Sequence, residues 1–242
     1  MYYKIRTFFV AFCFTIIFVP IGTLTHEIGH YTFAKINNIE AIIKYNRTDL
    51  PVYRNIALDV KNEVDEKMLV CANNALLENA SFEWYSISSV LSTETKLKYK
   101  EYLEVLKFVT LGGPISTILI GSLAFIILFF RVKKEKICLN FINLLLIFFS
   151  FFWLREVFGF AMLFFSKNIN LVYSDELILA RLYKLPILSI TITLAFIGLY
   201  VFYRIFINLD RKIRNHFLVG VGFGSIFGFF FWFILLGPIL LP

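Results

Sequence analysis

Cysteine is scarce in this chain of 242 residues: Cys13, Cys71 and Cys138 are three scattered thiols. That number and spacing exclude a disulfide framework and a cysteine-rich metal site. Charged residues are only 17% of the chain, and the formal net charge of +7 comes from Lys and Arg placed largely at the ends of apolar runs. A basic patch for nucleic acid is therefore not expected, and these charges read as topology signals. No small-residue cleavage site follows the first apolar run, so that run is expected to stay as a span rather than to be removed as a signal peptide. There is no internal repeat and no low-complexity tract.

What is abundant is apolar surface. The chain is 59% hydrophobic and 19% aromatic, with thirty phenylalanines. A soluble domain of this size could not hide so much, so the expectation is a multi-pass integral membrane protein with the lipid bilayer as its surround and a bacterial plasma membrane as its location. Runs long enough to cross the hydrocarbon core fall at about Thr7 to Ala34, Phe108 to Phe130, Cys138 to Phe165, Leu185 to Ile207 and Phe217 to Leu241.

The expected fold is thus an α-helical polytopic membrane protein of about five to six transmembrane helices, with a small membrane-associated α+β cap after the first. Residues 1–34 form the first helix, 35–107 the polar cap, 108–184 a core pair of helices and a loop, and 185–242 a C-terminal helix pair. In the cap, Ile39 to Val60 reads as two short strands around the Asp49-Leu50-Pro51 turn. Helical spacing follows at Met68, Leu69, Ala72, Ala75 and Leu76, and again from Leu97 into the second span. Asn46-Arg47-Thr48 and Asn79-Ala80-Ser81 match the glycosylation sequon, a short pattern that often arises by chance.

Lys4 and Arg6, then Arg131 to Lys136, then Arg204, Arg211, Lys212 and Arg214 fall on one face of a five-span chain. The positive-inside rule makes that face cytoplasmic, with the cap and the loop Ser166 to Lys184 on the other.

The chemistry is concentrated in Leu24 to Phe33, LTHEIGHYTF, at the end of a run without charge. His26 and His30 stand four residues apart, so on a helix both imidazoles project from one side and can grip one metal ion. With Glu27 this is H-E-x-x-H, in which two neutral histidines hold zinc and the glutamate takes a proton from water. The plainer alternative is a set of interfacial polar residues reaching to headgroups. A catalytic zinc needs a third protein ligand and an open position. His216 falls on the wrong face, whereas Asp175 lies on the right one.

Three segments in order resemble the site-2 protease family of intramembrane zinc metallopeptidases: HEIGH at His26 to His30, LGGPISTILIG at Leu111 to Gly121, and SDE at Ser174 to Glu176. They span Leu24 to Lys184. The resemblance implies Zn2+ held by His26, His30 and Asp175, with Glu27 catalytic. It also implies that Gly112, Gly113 and Pro114 line the site and help present the substrate strand, that a hairpin in the cap receives that strand, and that the site lies nearer the cytoplasm, opposite to the orientation read from the basic flanks. The family's Asn-Pro-Asp-Gly context is absent around Asp175, which leaves Glu176 as an alternative third ligand. The Gly-Gly-Pro segment also admits a purely structural reading, small residues for close helix approach and Pro114 in the first turn of a span.

Arg155 and Glu156 lie in an apolar stretch, and neighbours in sequence do not face each other on a helix. They read either as polar contacts within the bundle or as groups near a water route to the metal. The functional expectation is an intramembrane metalloendopeptidase acting on a membrane protein or membrane peptide. A zinc-binding scaffold of the same fold without proteolysis is the alternative, and a metal transporter ranks behind both because the last two spans supply almost no ligands.

Overall fold

The computed structural model describes residues 2–51, 92–132, 136–165 and 174–242. Helix α1 runs Tyr2–Ile36, and a hairpin of β1, Ile42–Ile43, and β2, Thr48–Asp49, follows it. Helix α2 is Thr93–Arg131, α3 is Phe141–Ser150, and a 3-10 turn at Phe151–Trp153 joins α3 to α4, Leu154–Phe165. The short α5, Asp175–Leu182, precedes α6, Ser189–Asn208, and α7, Arg211–Phe230. A π-helical turn at Phe231–Leu236 leads into α8, Gly237–Leu240.

Among the described residues, five helices are long and apolar enough to cross a membrane: Lys4–Ile36, Thr93–Arg131, Phe141–Ala161, Ser189–Asn208 and Arg211–Leu240. One of them, α2, greatly exceeds its expected span. The 39 residues of α2 correspond to about 58 Å of helix, against a hydrocarbon core of about 30 Å. Helix α2 starts early because Ser92 caps it, its hydroxyl accepting the Thr95 N–H at 3.2 Å. Pro114, expected in the first turn of a span, therefore lies in mid-helix.

The third span begins at Phe141 rather than Cys138, because Asn140 caps α3 and accepts the Asn143 N–H at 2.8 Å. It is also broken. Ser150 donates back to the Leu146 carbonyl at 2.6 Å, a bond that loosens a helix, and the following turn tightens to 3-10. The break lets Trp153 donate to Ser122 at 3.2 Å and resets the facing of α4.

The helices interlock through aromatic rings and glycines. Phe14 and Phe18 of α1 each stand with ring centroids 5.4 Å from Phe148 of α3, inside the largest buried apolar cluster. Along α7, Gly220, Gly224 and Gly228 meet successive turns of α1 at Phe8, Phe12 and Ile16 with Val19. The two helices therefore run parallel, close enough that a side chain on α7 would strike the α1 backbone. At the far end of the bundle the basic flanks meet: Lys136 and Arg214 both donate to the Ile207 carbonyl, and Arg204 lies over Phe129.

At the other end, α1 stops at Asn38, whose φ of 57° supplies the left-handed turn that asparagine tolerates. The Ile39 N–H then bonds back to Ala34 at 2.9 Å. The hairpin that follows differs from the expected one. Its turn lies between Lys44 and Arg47, closed by a 2.8 Å bond from the Lys44 N–H to the Arg47 carbonyl, and Asp49 sits within β2. Asp49 is held there by Arg47 at 2.7 Å and Lys44 at 3.6 Å, a cross-hairpin attraction that the turn-forming reputation of Asp-Leu-Pro conceals. The expected strand beyond Pro51, the helical pattern from Met68 to Leu76, the second sequon and residues 166–173 of the loop 166–184 lie outside the described residues.

The glycine contacts make a direct test. A Cβ on Gly224 would stand 2.7 Å from the Phe12 carbonyl oxygen, whereas one on Gly222 meets nothing within 4 Å among the described residues. Gly224→Val is expected to cost about 1–3 kcal/mol of stability. Gly222→Ala is expected to leave the unfolding midpoint in detergent unchanged or slightly raised.

Candidate metal centre

Helix α1 carries His26, Glu27 and His30 on its buried turns, with exposures of 1%, 5% and 8%. Asp175 reaches them as the first residue of α5, where Ser174 caps the helix by accepting the Leu177 N–H at 3.3 Å. A carboxylate is favoured at such a helix start. Asp175 Oδ2 lies 2.6 Å from His26 Nε2 and 3.4 Å from His30 Nε2, and the two Nε2 atoms are 3.0 Å apart. Burial pushes the Asp175 carboxyl up, yet the two imidazoles beside it hold it well below the usual carboxylate range.

Among the described residues, His26, His30 and Asp175 are the group whose ligand atoms converge in this way. His216 is not part of it. Nor is Glu176, the alternative third ligand: it is buried on the side of Glu156 instead. One residue along α5 points the side chain to a different helix face, which separates Asp175 from Glu176.

These residues fit a zinc ion. Tetrahedral bonds of about 2.0–2.1 Å want neighbouring donors about 3.3 Å apart; two of the three separations here, 3.0 and 3.4 Å, are near that, and the hydrogen-bonded third, at 2.6 Å, must open for the ion. His30 Nδ1 lies 2.7 Å from the Val109 carbonyl, and a carbonyl only accepts, so the ring proton sits on Nδ1 and the Nε2 lone pair faces the site. That outer partner is the usual one for a metal-binding histidine. Space is kept by Gly113: a Cβ there would collide with the Nε2 atoms of both His26 and His30.

Each member of the Gly-Gly-Pro segment has a separate task. Gly112 packs backbone to backbone against Gly29, and Ser116 reinforces the crossing by donating to the Thr25 carbonyl at 2.9 Å. Gly113 leaves the cradle open. Pro114 has no N–H for the Thr110 carbonyl, which loosens the turn of α2 that offers Val109 to His30. Gly112 thus serves the close approach of the two helices, Gly113 lies against the two imidazoles, and Pro114 stands in mid-helix, not in the first turn of a span.

Two contacts went unread in the sequence. Thr48 of β2 donates to Glu27, with its hydroxyl 2.9 Å from Oε2 and 3.0 Å from the Glu27 carbonyl. In sequence Thr48 was only the end of a sequon, and its role depends on hairpin register. Arg155, carried round by the 3-10 break, places Nη1 2.6 Å from His26 Nδ1 and Nη2 3.6 Å from Asp175 Oδ2.

No family model, no curated protein and no solved structure matches the chain. The site therefore rests on its own geometry.

Zinc content per purified chain in detergent checks the ligand set. His26→Ala and Asp175→Ala are each expected to lose near-stoichiometric metal. Gly113→Ala is expected to lose it as well, although it removes no ligand, because the added methyl fills the ion's place.

Proposed function

We propose that the chain is a multi-pass membrane zinc metalloendopeptidase that hydrolyses a peptide bond in or near the membrane-spanning segment of a membrane protein or peptide. The observation that carries this reading is the convergence of ligand atoms from two buried histidines of α1 and the half-buried Asp175 of α5 beside Glu27, at one end of a bundle whose outer face is apolar. Exposed Leu119, Leu123, Ile126, Ile127, Phe129 and Phe130 on α2 suit a hydrocarbon surround and not water. The likeness of HEIGH, LGGPISTILIG and SDE to the site-2 protease family supports the same reading.

His26, His30 and Asp175 would hold the ion and leave a fourth position open, as a catalytic site requires and a structural one does not. Zinc bound there supplies Lewis acidity, for a water molecule and for the scissile carbonyl. Glu27 accepts the proton of the attacking water and returns it to the leaving amine, so no covalent intermediate with the chain is formed. Thr48 orients the Glu27 carboxylate. Because Thr48 belongs to β2, the hairpin that orients the base is also placed beside the site, where its edge can pair with an unwound substrate strand. A substrate helix must unwind because its scissile amide is otherwise held in helical hydrogen bonds.

Glu27→Gln is expected to reduce cleavage at least about a hundredfold with zinc content unchanged. The assay is a library of single-span peptides in the same detergent, read by mass spectrometry, and undiminished cleavage by that variant sinks the mechanism. Thr48→Val is expected to lower the turnover rate about tenfold, the worth of one hydrogen bond to a charged group, again with metal retained.

A further inference from the structure

The hydrogen bonds around His26 differ from those around His30. A guanidinium can only donate, so Arg155 Nη1, 2.6 Å away, makes His26 Nδ1 an acceptor. The neutral imidazole then carries its proton on Nε2. That proton faces Asp175 Oδ2 at 2.6 Å and the His30 Nε2 lone pair at 3.0 Å. It occupies the point on which the three ligand atoms converge.

Metal at His26 Nε2 requires the opposite tautomer. The proton must move to Nδ1, and there it meets a guanidinium that offers only more donors. Arg155 and a metal ion therefore cannot both engage His26. The guanidinium charge beside Asp175 opposes a cation in the same place as well.

The structure also supplies somewhere for Arg155 to go. Its side chain is 42% exposed, and Glu156 Oε1 lies 4.0 Å from Nη1. The Glu156 side chain is 1% exposed, and its Oε1 has no hydrogen-bond partner among the described residues. A buried carboxyl oxygen without a donor is costly, and a guanidinium is a natural donor for it.

We propose that Arg155 is a two-position latch on the metal site: bonded to His26 Nδ1 it holds the site closed to metal, and moved onto Glu156 it lets the ion in. The inference rests on the zinc reading above, and Arg155 acts as a positioning residue through His26.

The test is zinc affinity of the full chain in detergent, by competition with a chromophoric chelator. Arg155→Met is expected to bind zinc at least about tenfold more tightly than wild type, since it loses one charge-assisted bond that opposes metal. Arg155→Gln should also gain, because its amide oxygen can accept the Nδ1–H of the loaded tautomer, and it serves if the Met variant fails to fold. Glu156→Gln should move affinity the other way, by weakening the released position.

Nitrogen-15 NMR of the histidines in zinc-free protein provides a readout that packing alone does not change. It should show an unprotonated His26 Nδ1 in wild type and a loss of that preference in Arg155→Met. Equal or weaker zinc binding by both Arg155 variants overturns the latch, as does a protonated His26 Nδ1 in zinc-free wild type. Wild-type affinity in Glu156→Gln overturns the landing place. Zinc bound by an Arg155 variant and not by wild type supports the latch in its strongest form, while no zinc on any variant removes the metal reading together with it.

Discussion

The site depends on how closely α1 and α2 approach each other. Gly29 and Gly112 bring the two backbones together without side chains between them, and a Cβ on either glycine would collide with the other helix. That separation sets everything within one turn of the contact. It brings the Val109 carbonyl within reach of His30 and aligns Ser116 with the Thr25 carbonyl. It also presses α2 against the two imidazoles so firmly that only glycine fits at 113. In a hydrocarbon surround, helices gain no advantage from burying apolar side chains against each other, so close backbone packing of this kind supplies the association.

The remaining parts are delivered to this crossing from separate directions. Asp175 comes from the capped start of α5, Thr48 from a hairpin two residues wide, and Arg155 from a helix reset by a 3-10 turn. The hairpin is itself tied down at the far end of the chain, with Tyr45 exchanging bonds with Trp232 and Leu241. The π-helical turn at Phe231–Leu236 thus stands behind the strand that orients Glu27. This arrangement couples the last helix to the site without giving it a ligand.

The polar groups of the site answer one another almost completely. Carbonyls and carboxylates accept, Thr48 and the imidazoles donate, and the one buried acceptor left over beside the site is Glu156 Oε1 among the described residues. Its position next to Arg155 is what gives the arginine two places to rest.

Length and apolar composition determined the helical spans, since a run of twenty apolar residues has few other fates. The four-residue spacing of His26 and His30 determined that they share a face, because helical periodicity is local. Span ends were less legible: Ser92 and Asn140 moved two of them, and the Ser150 back-bond broke one, through single side-chain bonds that periodicity does not register. Hairpin register, and with it the meeting of Thr48 and Glu27, depended on Asp49 choosing cross-strand partners. The choice between Asp175 and Glu176, and the approach of Arg155 to His26, were decided by the tertiary structure alone. Those contacts join residues more than a hundred positions apart, and the rotation of a short helix or a broken one about its axis is set by what it packs against, not by its own sequence.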